Sequence, residues 1–262
     1  MPFKDALGER MKHNYEEVAK YRLTRRMPVA IRIDGKAFHT FTRGFEKPFD
    51  YILQASMIET MEYLVQNIQG AKFGYTQSDE ITIILTDYDT LETDAWFDYE
   101  VQKLCSIAAS MATMIFNRIF NNKVDYLYES KSARCASFTN EDLAHMDALA
   151  KGAMFDARCF NIPKEEVGNL IVWRWQDAKR NSIQMVGQHF FSHKELQGKG
   201  QLDIRVMLKE IDHPWEHYGD TSRFGTMAFK NEEGEWITRP AYADNAPMYK
   251  IVSDAIAPKG EW

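Results

Sequence analysis

Apolar and polar positions along this chain switch between two periods. Over residues 50–67, Ile52, Leu53, Met57, Met61, Leu64 and Val65 fall on one helical face, Asp50 can cap the first turn, and Gly70 stops the chain beyond it. A second stripe, Val101, Leu104, Ile107, Ala108, Met111, Met114 and Ile115, predicts a long, largely buried helix over 94–122. Residues 4–24 read as a polar helix. Pro163, followed by Lys164, Glu165 and Glu166, opens helical sequence that runs to about residue 191. Ser192 with Glu195 three residues on predicts a capped short helix. Between these lie short runs of strand character at 27–33, 73–77, 81–86, 135–138 and 154–160, with a late hairpin over 224–230 and 236–241.

The early elements follow the order β-α-β-β-α-β, a ferredoxin-like split pattern. It predicts an α+β fold: an antiparallel sheet with helices on one face. Residues 1–160 read as the catalytic core with its N-terminal helix. Residues 161–262, helical and then hairpin, complete the same globular unit.

Composition narrows the class without naming a chemistry. The 262 residues are 45% hydrophobic, ordinary for a folded globule. No apolar run reaches the length of a membrane span, about 18 residues. The start of the chain lacks a signal-peptide core and is acidic, so a soluble cytoplasmic protein is expected. Cys105, Cys135 and Cys159 are far apart and form no Cys-x-x-Cys pair, which speaks against a zinc site or a disulfide scaffold. A net charge of −6 argues against a general nucleic-acid-coating protein. Local basic sets remain, one from Arg10 to Arg26 and one made of Arg174, Lys179, Arg180, Lys194 and Lys199.

Two acidic clusters carry the candidate chemistry. Asp34-Gly35 closes the apolar run from Val29, and Ser78-Asp79-Glu80 sits at the bend of the 73–86 hairpin. Carboxylates on neighbouring strand ends can hold a pair of divalent cations about 4 Å apart for phosphoryl or nucleotidyl transfer. Magnesium suits this, since it takes one or two carboxylates plus substrate phosphates. The same residues also fit a plain turn and solvated charge. Pattern alone leaves both readings open.

The surrounding strings resemble a known family. Arg32-Ile33-Asp34-Gly35-Lys36-Ala37-Phe38-His39-Thr40-Phe41, followed by Lys47-Pro48, is similar to the N-terminal signature of the tRNA-His guanylyltransferase family. Gln77-Ser78-Asp79-Glu80 resembles its second signature. Phe155-Asp156-Ala157-Arg158 falls where the family has Phe-Asp-Gly-Arg. Trp173-Arg174-Trp175-Gln176 falls where it has Trp-Arg-Gln, and Asn245-Ala246-Pro247-Met248-Tyr249-Lys250 resembles a late segment. One departure stands out: Lys179-Arg180-Asn181-Ser182 replaces the His-Ile-Asn-Asn run of the eukaryotic members. In this the chain resembles the branch that repairs tRNA 5′ ends.

The resemblance implies a polymerase- and cyclase-like palm and an enzyme that extends RNA in the 3′→5′ direction. It implies two Mg2+ ions on Asp34, Asp79 and the Gly35 carbonyl, with Glu80 as a further catalytic group. It implies triphosphate contacts from Lys36, Ala37, Phe38, His39, Lys47 and Ser78, and RNA phosphate contacts from Lys179, Arg180, Asn181 and Lys199. ATP, GTP or other nucleoside triphosphates are the implied substrates, tRNA the partner, and a homo-tetramer the assembly. The expected function is template-dependent repair of tRNA 5′ ends. Addition of a single guanylate to tRNA-His is the alternative. More distant readings are a nucleotidyl-cyclase-like enzyme and a non-catalytic tRNA-binding protein.

Overall fold

The structure is a computed structural model and describes residues 6–259. In chain order the first half contains α1 (Ala6–Met11), β1 (Val29–Gly35), α2 (Phe38–Phe41), α3 (Tyr51–Asn67), β2 (Ala71–Gln77), β3 (Glu80–Leu85) and α4 (Val101–Ala133). The second half contains α5 (Asn140–Lys151), β4 (Phe155–Asn161), α6 (Val167–Phe190), α7 (His193–Leu196), α8 (Gln201–Glu210), α9 (Asp220–Phe224), β5 (Thr226–Lys230), β6 (Trp236–Pro240) and α10 (Ala246–Ala255).

The strands form one sheet in the order β4-β1-β3-β2-β5-β6, with every neighbouring pair antiparallel. The first four have the order expected of the split β-α-β-β-α-β pattern, and the late hairpin extends the sheet beside β2. Alternation along β1 explains the layers. Val29, Ile31 and Ile33 face Met57, Met61 and Leu64 of α3 and Leu104, Phe116 and Phe120 of α4. Ala30 faces the other way, into a second core with Tyr75, Ile84, Ile171, Trp175, Ile204 and Val252. Thus α3 and α4 cover one face, as expected for the palm, and the C-terminal helices close the other.

Local signals are realised where a side chain can satisfy free backbone groups. The Asp50 carboxylate accepts the Leu53 N–H at 2.8 Å and starts α3. Ser192 and Glu195 form the expected capping box at α7.

Three expectations are corrected. Residues 135–138 are not a strand. No sheet edge takes their hydrogen bonds; instead Asp142 accepts the Thr139 N–H at 2.7 Å in a capping box that starts α5. The long helix is displaced from 94–122 to Val101–Ala133. Phe97, Asp98 and Tyr99 turn the chain with φ of 49°, 50° and 53°, and the buried stripe continues to Val124. The polar helix over 4–24 is cut to Ala6–Met11 and a wide turn over Lys12–Glu16, with residues 4–5 outside the described part. None of its residues in α1 is buried, so nothing repays ordering a longer helix there. Beyond it, Arg25 pairs with Asp87 at 2.6 Å and Arg22 with Asp98 at 3.0 Å, which holds the chain extended. Among the described residues, no helix is long and apolar enough to cross a membrane.

Candidate functional site

The two acidic tips lie side by side. Asp34 stands opposite Glu80 on β3 and Asp156 on β4. The hairpin turns through Ser78, at φ 51°, and Asp79. The Gly35 N–H donates to the Asp79 carbonyl at 3.1 Å, tying the end of β1 to that turn. Gly35 is sterically required, because a Cβ there would run into the Phe38 ring.

Electrostatics distinguish this pair from ordinary surface acids. Burial raises the Asp79 carboxyl above its usual range, and the charges of Asp34 and Glu80 push the same way. Burial also raises Asp34, helped by Glu80 and Asp156, with Arg158 and Arg32 opposing. Arg158 approaches Asp34 only to 3.9 Å. Among the described residues, no group of three or more His, Cys, Asp or Glu side chains forms a metal cage. Two under-neutralised oxygen donors beside an open cleft nevertheless fit magnesium, which completes its shell with water and phosphate oxygens.

Glu80 stands apart from the pair. Its carboxylate accepts from Arg174 Nε at 2.7 Å, Arg174 Nη2 at 2.8 Å and Arg32 Nη2 at 2.6 Å. It is buried, and both oxygens are committed to guanidiniums that fasten α6 to the sheet. Of the two roles open to Glu80, assisting the chemistry or supporting it from behind, these contacts fit the supporting one.

A cleft of about 390 Å³ opens beside Asp79. Of the expected triphosphate residues, Ala37, Phe38, His39, Lys47 and Ser78 line it and Lys36 does not; of the expected metal ligands, Gly35 and Asp79 line it. Ala37 holds a left-handed φ of 54°, which starts the tight turn of α2. The Phe38 ring packs on Phe41, Phe116 and Phe155, so it can offer the cleft only its backbone. A smaller hollow of about 80 Å³ adjoins it, sharing Asp50, Leu53, Ser78 and Met185, and Asn181 lines it.

The four expected RNA contacts are not gathered in one place. Arg180 pairs with Asp177, and Asn181 Nδ2 donates to the same carboxylate at 3.4 Å. Lys179 lies over the Trp175 ring at 5.4 Å. Lys199 is exposed beyond α7 and lines neither hollow.

Several residues of the site carried no assigned role in the sequence. Asp156 and Arg158 enter through strand register; alternation along 155–159 was the signal that they share a face with Asp34. Asp50 both caps α3 and bonds His145 Nε2 at 2.8 Å beneath the cleft wall, and no local pattern pointed to His145.

Comparison with known proteins places the fold. The family model described as tRNAHis guanylyltransferase matches residues 8–163. A solved bacterial tRNA(His) guanylyltransferase-like protein in complex with ATP is 38% identical, with a TM-score of 0.78, over 94% of this chain and 99% of that one. One in complex with GTP is 34% identical, with a TM-score of 0.75, over 96% and 99%. An uncharacterized protein of Acanthamoeba polyphaga mimivirus is 30% identical over 235 residues, covering 82% of this chain and 76% of the viral protein.

Proposed function

This chain belongs to the tRNA-His guanylyltransferase family, and on that premise we propose that it is a template-dependent 3′–5′ nucleotidyltransferase that restores missing nucleotides at tRNA 5′ ends. The observation that carries the reading is the stitched pair of tips that bear Asp34 and Asp79, whose Gly35 and Asp79 line a cleft large enough for a triphosphate. The ATP and GTP complexes of the bacterial relatives support nucleotide use.

In this reading Asp34, Asp79 and the Gly35 carbonyl hold two magnesium ions. When bound, these supply charge neutralisation on the attacking and leaving oxygens of an in-line displacement at phosphorus. The chain's own groups do the positioning. Backbone N–H groups over 37–39, the Ser78 hydroxyl and the Lys47 ammonium hold the triphosphate. Lys36 is exposed and does not line the cleft; in this reading its ammonium adds charge toward the triphosphate. The RNA 5′ end carries a triphosphate or a monophosphate activated with ATP. The 3′-hydroxyl of the incoming nucleotide attacks the 5′ α-phosphorus, a new phosphodiester forms, and pyrophosphate or AMP leaves. Lys179, Arg180, Asn181 and Lys199 contact RNA phosphates. Glu80 keeps Arg174 and Arg32 in place. The working particle is a homo-tetramer, and the enzyme acts in the cytoplasm.

The Lys179-Arg180 pair favours repair over guanylate addition, because such contacts grip a backbone without reading bases. Selection of the incoming base then falls to pairing with the opposite strand. The test is incubation of tRNA lacking its 5′ nucleotide with each labelled nucleoside triphosphate and magnesium, resolved on a gel. A product one nucleotide longer is expected. Absence of extension on every tRNA would overturn the proposal.

A further inference from the structure

The 42–50 loop supplies one wall of the cleft, through Thr42, Phe45, Glu46, Lys47, Pro48 and Asp50, and belongs to no helix or strand. What holds it is the Asp50 carboxylate, which accepts the Leu53 N–H at 2.8 Å, the Glu46 N–H at 3.2 Å and His145 Nε2 at 2.8 Å. One side chain thus ties the residue before Lys47 to the first turn of α3 and to α5. Burial pushes the Asp50 carboxyl up, but the bonds from His145, Leu53 and Glu46 outweigh it and hold the group below its ordinary range. An ionised carboxylate only accepts, so Nε2 carries the proton. Gly44, at φ 88°, lets the loop close on α5, since a Cβ there would lie 2.9 Å from that of Ala144. α5 is itself fastened to α4 at both ends. Lys131 pairs with Asp142, and the Asn117 amide exchanges bonds of 2.8 and 2.9 Å with the Ala153 backbone. The buried His145 ring lies 4.4 Å from that of Phe45 and 6.2 Å from that of Phe120, and its Nδ1 has no partner among the described residues. Packing alone would favour an apolar side chain between those rings, because an unpaired buried nitrogen costs stability.

We propose that His145 is a positioning residue for nucleotide binding: through Asp50 it fixes the 46–48 segment and so holds Lys47 at the triphosphate. The proposal rests on the nucleotidyltransferase reading above and adds to it a residue that does not itself line the cleft. Asp50 Oδ2 is shared between His145 and the Glu46 N–H. With the imidazole gone, that oxygen keeps only the longer of its two bonds, and the carboxylate is free to turn away from the loop. Lys47 must then be ordered when the nucleotide arrives, which lowers affinity without touching the chemical step.

The test uses the full chain and two variants of similar bulk. His145→Leu fills the space between the rings but has no donor, and His145→Gln carries an amide that can donate to Asp50. ATP affinity is measured with magnesium present. Trypsin cleavage after Arg43, exposed beside Gly44, reports the order of the loop without reference to activity. His145→Leu should bind ATP about tenfold more weakly, the scale of one hydrogen bond to a charged group. It should be cut after Arg43 several times faster, and at saturating nucleotide its kcat should stay near the wild-type value. His145→Gln should recover most of the affinity and the protection. Wild-type affinity and cleavage in His145→Leu would overturn the proposal while leaving the enzymatic reading untouched. Equal losses in both variants would show that ring shape matters and the donor does not, and would also overturn it. If the wild type and the two variants differ in ATP affinity and cleavage as stated but none extends RNA, the chemistry fails and the positioning role stands. If the wild type binds no ATP, both fall.

Discussion

The Gly35 N–H donates to the Asp79 carbonyl at 3.1 Å. This one bond makes two tips that lie 44 residues apart in the sequence into a single rigid corner. It does so with backbone atoms, so neither carboxylate is used in the tie. Gly35 also clears the Phe38 ring beneath it. Gly35→Ala is therefore expected to cost about 1–3 kcal/mol through overpacking and to lower nucleotide addition more than it lowers RNA affinity. Urea denaturation and paired binding and activity assays check this. Wild-type activity in that variant would show that the corner tolerates displacement.

Asp34→Ala and Asp79→Ala should each reduce nucleotide addition roughly a hundredfold or more, the scale of losing one side of a metal clamp, while the chain stays folded. Circular dichroism and gel assays at saturating magnesium read the two properties separately.

Asp79 also makes a stability prediction. Its folded pKa lies above the ordinary value, so the folded state binds more protons and the contribution to stability falls as pH rises through the folded pKa. Asp79→Asn removes that penalty. Without divalent cation its Tm should exceed the wild-type value at pH 7 by a few degrees, and the gap should close below about pH 4, near the unfolded pKa. Magnesium should raise the wild-type Tm and leave that of Asp79→Asn nearly unmoved. A lower Tm in the variant at pH 7 would contradict the electrostatic reading.

Glu80 is expected to behave as a structural anchor. Removing it takes from Arg32 its carboxylate partner and leaves Arg174 with Asp177 alone, at 2.9 Å, so Glu80→Ala should destabilise the fold by about 3 kcal/mol, more than Asp34→Ala. Replacing Glu80, Arg32 and Arg174 together by methionine should recover much of the loss. Chemical denaturation of the single and triple variants measures the coupling. A Glu80→Ala variant as stable as wild type but inactive would return Glu80 to the catalytic set.

Lys47 lines the cleft with its charge free of any carboxylate partner among the described residues. Lys47→Ala should weaken apparent nucleotide affinity about tenfold, the worth of one charge-assisted hydrogen bond, and leave RNA affinity unchanged.

What could be read in advance depended on how local each signal was. Asp50 as a cap, the Ser192–Glu195 box and the turn at Ser78-Asp79 are written within four residues, and all three are realised. Asp34 and Asp79 were brought together by an element order that left few topologies. His145 was illegible because it enters through a partner 95 residues away, by the packing of α5, whereas Asp156 was signalled only by alternation and became a neighbour of Asp34 through strand register. Glu80 was grouped with the catalytic residues because it adjoins Asp79 in the sequence. Arg174, which neutralises it, sits 94 residues later. The apolar run at 135–138 failed as a strand because strand propensity needs an edge to pair with, and the capping box at Thr139 was the stronger local signal.

The most direct measurement compares full-length tRNA-His with 5′-truncated tRNAs of other identities, each offered the four nucleoside triphosphates singly with magnesium. Repair predicts extension of the truncated tRNAs by whichever nucleotide completes a Watson–Crick pair, and little addition to intact tRNA-His. Preferred addition of guanylate to full-length tRNA-His, opposite a base it cannot pair with, would contradict the account.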